Sequence, residues 1–225
     1  MQKWDFSAHL KKLFLQQRKK MLTLSIIVIT SLISIVAFSN QSLFYRMDFS
    51  PFKVKQLNEW WRFFTHAFLH GDWMHLLINM FVLFFFGRAV EVYMDHYLGD
   101  KGWFYFLLLY VGGIIFAVLP TLKKQADNPN YHSVGASGAV SAVLFSSVIF
   151  SPATSICLYG LLCFPGIIWA IIYLLYSYFM SKKDGDYINH DAHLWGAIFG
   201  VVFTFIAVPD SFLAFFAQVG EMLPF

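Results

Sequence analysis

Charged residues are scarce in this chain of 225 residues. Asp, Glu, Lys and Arg together make up 13% of it, whereas soluble domains contain about 25%. The few charges lie in short clusters between long neutral runs, which is the pattern of a membrane protein. The shortage of charge therefore argues against a soluble domain.

Cysteine and internal repetition are also lacking. The two cysteines, Cys157 and Cys163, fall in one apolar run. We expect them to pack in the core, since two such residues give no disulfide framework. The sequence has no low-complexity tract and no evident repeat, so one domain is the simplest organisation.

Six apolar runs are long enough to cross the hydrocarbon core of a bilayer, which takes about 20 residues. They cover approximately residues 21–39, 74–94, 103–120, 134–150, 154–180 and 193–209. Only the second run contains charges, Arg88 and Glu91. The runs are too long for barrel strands, so helices must satisfy the backbone in lipid. The sequence predicts an all-α membrane protein, with a six-transmembrane-helix bundle over residues 21–209 and a short tail over 210–225.

Basic residues precede the first predicted span, in a segment over residues 1–20. They are Lys3, Lys11, Lys12, Arg18, Lys19 and Lys20. The cluster predicts a cytoplasmic N-terminus, and beside a span it is better explained as a membrane anchor than as a nucleic-acid site. The later loops do little to distinguish the two possible orientations, because Lys123, Lys124, Lys182 and Lys183 lie on the outer side in this topology. A cleaved signal peptide is the alternative for the first run. The charged segment and the apolar run that follows it are both long for a signal peptide.

Residues 52–73, between predicted spans 1 and 2, combine aromatic side chains with charges. The aromatic residues include Trp60, Trp61, Phe63, Phe64 and Phe68. Such an amphipathic stretch typically lies in the membrane interface. Anchoring in the aromatic belt is the simpler explanation. A platform that bounds a lateral substrate entrance is the functional one.

Four polar residues lie at the starts of the spans that begin on the outer side. His75 and Asn79 begin span 2, Ser137 begins span 4, and His193 begins span 6. Because each lies within the first turns of its helix, we expect similar depths in the membrane. Serine with histidine is the minimum pair for an activated hydroxyl nucleophile. His75 and Asn79 share one helix face and could donate to one oxyanion.

Other hydrolytic and metal chemistries lack their residues. The predicted spans offer no acid for a Ser-His-Asp triad, no lysine for a Ser-Lys pair and no H-E-x-x-H motif. His66, His70 and His75 are closely spaced, but a structural zinc site takes four ligands. We expect neither a metal nor a cofactor, and a Ser-His dyad remains.

Structural explanations compete for the small polar residues. A lone intramembrane serine usually packs against a neighbouring helix, and this explanation suits Ser141, Ser146 and Ser147. The G-x-x-x-G pair of Gly196 and Gly200 allows close helix approach. Such an approach of spans 4 and 6 would bring Ser137 to His193.

At these residues the sequence resembles the rhomboid family of intramembrane serine proteases, over roughly residues 58–208. The matching motifs are Gly135-Ala136-Ser137-Gly138, His75 to Asn79, Ala192-His193 with Gly196 and Gly200, Trp61-Arg62, and Gly87 to Glu91. Any one motif would be weak, whereas all of them in order on the correct spans are specific.

The resemblance implies six helices around a water-filled cavity that opens to the outside of the cell membrane. It implies Ser137 as nucleophile, His193 as its base, and His75, Asn79 and the Ser137 amide as oxyanion donors. It also implies that Trp61, Arg62 and Glu91 are structural, and that the substrates are other membrane proteins.

One position departs from the family pattern. Many members have an aromatic residue four positions after the serine, on which the histidine ring packs, and here that position is Ser141. We expect another residue to hold His193, with the many phenylalanines as candidates. Two other functions stay open: an inactive rhomboid-like binder of membrane clients, and a membrane transporter.

Overall fold

The computed structural model of the protein describes residues 22–158, 161–182 and 189–222. The predicted cytoplasmic segment 1–20 lies outside the described residues, as does Lys183. Within these described ranges, three helical stretches are long and apolar enough to cross a membrane: Leu22–Ser39, Trp73–Lys124 and His190–Ala207. The prediction of a mainly helical membrane protein is confirmed.

The helices and strands follow one another as below. They are α1 (Leu22–Ser39), α2 (Gln41–Met47), α3 (Pro51–Leu57), α4 (Arg62–Thr65), a 3₁₀ turn (His66–Phe68), α5 (Trp73–Val82), a π-helical turn (Leu83–Gly87), α6 (Arg88–Leu98), a 3₁₀ turn (Gly99–Lys101), α7 (Gly102–Lys124), α8 (Ser137–Phe150), β1 (Ser155–Leu158), β2 (Leu162–Pro165), α9 (Gly166–Met180), α10 (His190–Ala207) and α11 (Asp210–Glu221). Polar caps fix several starts, because a side-chain oxygen satisfies an amide that the first turn leaves free. Asp72 accepts from the His75 amide, and Asn189 accepts from the Ala192 amide.

The fifth predicted span, residues 154–180, is wrong in its first part. The structure has a two-stranded antiparallel hairpin there, β1 with β2, and α9 begins only at Gly166. Short apolar strands and buried helices look alike by periodicity. Pro165 lies directly before α9, where its fixed φ and missing N–H fit a helix boundary.

The expectation that the two cysteines only pack in the core is also wrong. Cys157 and Cys163 are directly opposite each other in the hairpin and form a disulfide, with Cα atoms 4.0 Å apart. Facing residues of antiparallel strands have Cα atoms about 4.5–5.5 Å apart, so strand pairing alone brings two cysteines near enough to be cross-linked. The cross-link therefore follows from the hairpin, which the prediction had missed.

Small residues bring α7, α8 and α10 into close contact. A Cβ atom added at Gly196 would lie 2.1 Å from the Gly138 carbonyl oxygen, and one at Gly200 would lie 2.2 Å from the Ala142 carbonyl oxygen. On the other side of α8, a Cβ atom at Gly138 would lie 2.3 Å from the Ala117 Cβ atom. The backbones of α8 and α10 therefore touch directly, and α7 packs against the start of α8.

Glu91 joins α6 to the start of α1. Its carboxylate accepts a hydrogen bond from the Thr23 amide at 3.2 Å, and the side chain is buried. A carboxylate suits this place, because the first amides of a helix lack acceptors and carry partial positive charge. The side chain of Thr23 also packs on Gly87, where an added Cβ atom would lie 2.8 Å from its hydroxyl oxygen.

Arg62 holds together the loop region between α1 and α5. Its guanidinium is 3% exposed and donates to the Asp48 carboxylate, to the Glu59 carboxylate and to the Tyr45 carbonyl oxygen. The second Asp48 oxygen lies 2.6 Å from Nδ1 of His132, which precedes α8. This buried charge network ties the loop region to the segment that leads to Ser137.

The predicted C-terminal tail includes a further helix, α11. It is 12 residues long, which is shorter than a membrane span. Gln218 donates to the carbonyl oxygen of Phe150 at the end of α8, at 3.2 Å. Phe212, Leu213 and Phe216 of this helix are exposed.

Candidate active site

Ser137 is the first residue of α8 and lies at the edge of a small cavity. Gly135 and Gly138 also line this cavity, together with Asn189 and Ala192 from the start of α10. Gly135 has a φ of 125°, a left-handed conformation that favours glycine. Ser137 is partly exposed.

His75 lies against the turn that precedes Ser137. A Cβ atom at Gly135 would be 3.0 Å from His75 Nε2 and 3.8 Å from the Ser137 amide nitrogen. The His75 ring therefore packs directly on Gly135, where a side chain would clash with it, and His75 Nε2 lies beside the turn that leads to Ser137. The Gly71 amide donates to His75 Nδ1 at 3.4 Å, which favours the neutral tautomer with its proton on Nε2. That tautomer has a donor at Nε2, the nitrogen atom that lies beside Gly135.

Asn79 lies one turn further along α5 and is buried. Its Nδ2 atom donates to the His75 carbonyl oxygen at 2.9 Å. An amide NH₂ group has two hydrogen atoms, so one donor remains for another acceptor. The predicted pair on one helix face is present, with Asn79 anchored to the backbone of His75.

His193 lies in the first turn of α10, whose start is attached to the end of α7. Asn189 caps the helix and exchanges hydrogen bonds with Thr121 at 3.0 and 3.3 Å, and Lys124 pairs with Asp191 at 2.6 Å. One turn after His193, Gly196 touches the backbone of Gly138, the residue after Ser137. These contacts bring the starts of α8 and α10 side by side.

An aromatic residue from α9 packs on His193. The Tyr173 ring stacks on the imidazole with centroids 6.1 Å apart and planes 21° apart. The Tyr173 hydroxyl lies 2.6 Å from the Ser141 hydroxyl on α8. No signal in the sequence singles out Tyr173 among the 11 tyrosines, because its position on α9 relates to His193 only through the fold.

The other predicted residues make their contacts in the loop region and with α1. Arg62 is buried in the loop network, Trp61 donates to the Arg46 carbonyl oxygen at 3.4 Å, and Glu91 caps α1. These contacts are structural in character.

His66 and His70 were considered as metal ligands together with His75. Their ring nitrogen atoms have different polar partners. His66 Nδ1 lies 2.8 Å from the Arg62 carbonyl oxygen, and His70 Nδ1 lies 2.9 Å from the Ser34 hydroxyl. Burial lowers the pKa of His66 to about 4 and the pKa of His70 to about 3, so both are neutral near pH 7. Within the described ranges no group of three His, Cys, Asp or Glu residues is arranged to hold a metal ion.

Comparison with known proteins identifies relatives. The sequence model of the Rhomboid domain matches residues 57–210. A protein of Bacillus subtilis (strain 168) named "Putative rhomboid protease YdcA" is 33% identical over 159 residues, which cover 67% of this chain and 68% of that protein. The chloroplastic Rhomboid-like protein 11 of Arabidopsis thaliana is 31% identical over 162 residues, 65% of this chain and 52% of its own. Rhomboid-related protein 1 of Caenorhabditis elegans is 28% identical over 169 residues, 70% and 42% of the two chains.

Proposed function

Because the chain belongs to the rhomboid family, we propose that it is an intramembrane serine endopeptidase. It hydrolyses peptide bonds in or near the transmembrane segments of other membrane proteins, with Ser137 as nucleophile and His193 as base. The arrangement at the start of α8 carries this proposal. His75 packs on Gly135 in the turn before Ser137, and Gly196 brings the start of α10, which includes His193, against Gly138 after Ser137.

The reaction begins when His193 takes the proton of the Ser137 hydroxyl and the oxygen attacks the scissile carbonyl carbon. The carbonyl oxygen becomes an oxyanion, and the C–N bond then breaks as His193 returns the proton to the leaving amine. Water deprotonated by His193 next attacks the acyl-enzyme ester, which releases the second product and restores Ser137. A helical substrate has its backbone hydrogen bonds satisfied internally, so it must unwind locally before attack.

Three donors stabilise the oxyanion in this mechanism. The Ser137 N–H is in the first turn of α8, where amides have no intrahelical acceptor, and the helix dipole favours negative charge there. His75 Nε2 and the remaining Asn79 hydrogen atom supply the side-chain donors. One such donor is worth about 10²–10³-fold in rate.

The proposed topology has six spans: α1, α5 with α6, α7, α8, α9 and α10. Residues 21–209 then form the protease domain in the cell membrane. The basic segment 1–20 is cytoplasmic, and the active site opens to the outer face. In this orientation the hairpin of β1 and β2 lies on the cytoplasmic side, where thiols are usually kept reduced. Its disulfide would then form only under oxidising conditions.

The test uses the purified protein in liposomes with a transmembrane substrate and, separately, a fluorophosphonate probe. The wild-type protein should cleave the substrate and be labelled, whereas Ser137→Ala should do neither and His193→Ala should lose cleavage. Ser147→Ala is the matched control on the same helix and should behave as wild type. Equal cleavage by Ser137→Ala would disprove the assignment.

Two other outcomes identify the alternative functions. Capture of the transmembrane protein with neither cleavage nor labelling would indicate an inactive binder. Uptake of a solute into the liposomes that survives Ser137→Ala would indicate a transporter.

A further inference from the structure

The proposed dyad needs a means of orienting its base. A base can be oriented by a hydrogen-bonded acid, as in a triad, or by a ring that packs on it. The face of the Tyr173 ring supplies such packing, with centroids 6.1 Å apart and nearly parallel planes. An offset-stacked pair restricts the tilt of the imidazole, because both rings are flat.

Tyr173 is itself fixed by α8. Its hydroxyl lies 2.6 Å from the hydroxyl of Ser141, and Ser141 is buried. The ring also contacts Phe145, one turn further along α8, at a centroid distance of 5.7 Å. Two successive turns of α8 therefore hold the tyrosine that packs on His193.

Ser141 lies one turn after Ser137, on the same helix. The nucleophile and the anchor of the tyrosine are thus parts of one rigid element, since a helical turn is held by its own hydrogen bonds. A continuous set of contacts runs from Ser137 along α8 to Ser141, to Tyr173 on α9, and to His193 on α10.

We propose that Tyr173 is the positioning residue for His193, with the Ser141 hydroxyl setting the place of the Tyr173 ring. This inference rests on the proposed protease function and adds a residue to it. It gives Ser141 a role beyond helix packing, because a serine at this position is short enough to receive the tyrosine hydroxyl. It also makes the orientation of the base depend on how α9 packs against α8.

The ring and the hydroxyl contribute separately. Tyr173→Leu removes the flat surface and should lower kcat by about 10²-fold, the usual effect of a small misplacement of a reacting group. KM should change less than kcat, because Tyr173 contacts the base. Tyr173→Phe keeps the ring and should retain activity within about tenfold of wild type, the range set by one hydrogen bond.

The experiment measures kcat and KM for a transmembrane substrate in the full-length protein. Tyr178→Leu is the matched control, since Tyr178 lies on the same helix and is 44% exposed. Ser141→Ala should lower kcat by about as much as Tyr173→Phe. The two substitutions together should cost no more than either alone, because both remove the same hydrogen bond.

A second measurement does not depend on activity. His193 is partly exposed, so diethyl pyrocarbonate should modify it, and mass spectrometry can follow the rate at that residue. Tyr173→Leu should raise the rate severalfold, whereas Tyr178→Leu and Tyr173→Phe should leave it near wild type. If Tyr173→Leu does not fold, the pairing of Ser141→Ala with Tyr173→Phe is the deciding measurement.

The two proposals fail in different ways. A wild-type protein that neither cleaves nor is labelled would refute the protease function, while the modification rates would still test the contact of Tyr173 with His193. An active wild type with unchanged kcat and unchanged His193 modification in Tyr173→Leu would overturn the positioning role. Additive losses in Ser141→Ala with Tyr173→Phe would overturn the role of Ser141.

Discussion

Gly196→Ala perturbs the closest contact between α8 and α10. The added methyl carbon would lie 2.1 Å from the Gly138 carbonyl oxygen and 2.8 Å from its carbonyl carbon. These are backbone atoms of a helix, so they cannot rotate away as a side chain can. The two helices must separate by roughly 1 Å before the contact reaches an ordinary distance.

The separation should affect both stability and activity. Overpacking of a well-packed interior costs typically about 1–3 kcal/mol, and here the strain falls on backbone. His193 lies one turn before Gly196, so it moves away from Ser137 together with α10. A displacement of this size costs about 10²-fold in rate. We expect a lower thermal midpoint in detergent and a loss of cleavage of at least that order in the folded fraction.

The chain offers a matched control for this substitution. Gly220 also lies in a helix, and an added Cβ atom there has nothing within 4 Å. Gly220→Ala should be neutral or stabilise by up to about 1 kcal/mol, because alanine is the better helix former. Thermal unfolding and substrate cleavage are measured for both variants. A Gly196→Ala protein that matches Gly220→Ala in both assays would refute direct backbone contact between α8 and α10.

Two further predictions concern the loops. Both His66 and His70 have a folded pKa below the ordinary value of 6.5, so the unfolded chain binds more protons below that pH. The free energy of unfolding should therefore fall as pH drops through about 6.5, by about 2 kcal/mol for each histidine at pH 5. His70→Asn should reduce the pH dependence of the thermal midpoint. An unchanged dependence would contradict burial of a neutral ring at this position. Replacing Cys157 and Cys163 together by serine should cost the oxidised protein about 2 kcal/mol, because the disulfide closes a short loop. The stability of the double variant should not change with reductant. Wild-type protein whose thiols still alkylate fully after treatment with an oxidant would contradict the cross-link.

The sequence alone predicts the membrane class and the residues proposed to react. Long neutral runs indicate helices because the bilayer core leaves the backbone no other acceptors. Polar residues at Ser137, His193 and His75 are informative because burying them in lipid is costly. The structure adds the reason for Gly135: its φ is positive, and the His75 ring of α5 packs where a side chain would lie.

The hairpin could not be predicted from the same signal. Residues 154–165 are as apolar as a helix, and hydropathy does not distinguish the two conformations. The pairing of Cys157 with Cys163 fixes the register, but a spacing of six residues also fits two cysteines on a buried helix. Gly160 and the Pro165-Gly166 pair are the residues in this stretch that favour a break in a helix.

The packing of Tyr173 on His193 shows why the sequence alone does not identify every residue of such a site. A hydroxyl nucleophile and its base must be polar, so they stand out in apolar spans. A flat, largely apolar surface beneath the base has no such constraint, and any neighbouring helix can supply it. Ser141 leaves room for a tyrosine from α9, and its hydroxyl gives that tyrosine a fixed partner at 2.6 Å. The absence of an aromatic residue at position 141 is therefore compatible with an oriented base, because the ring and its anchor come from two different helices.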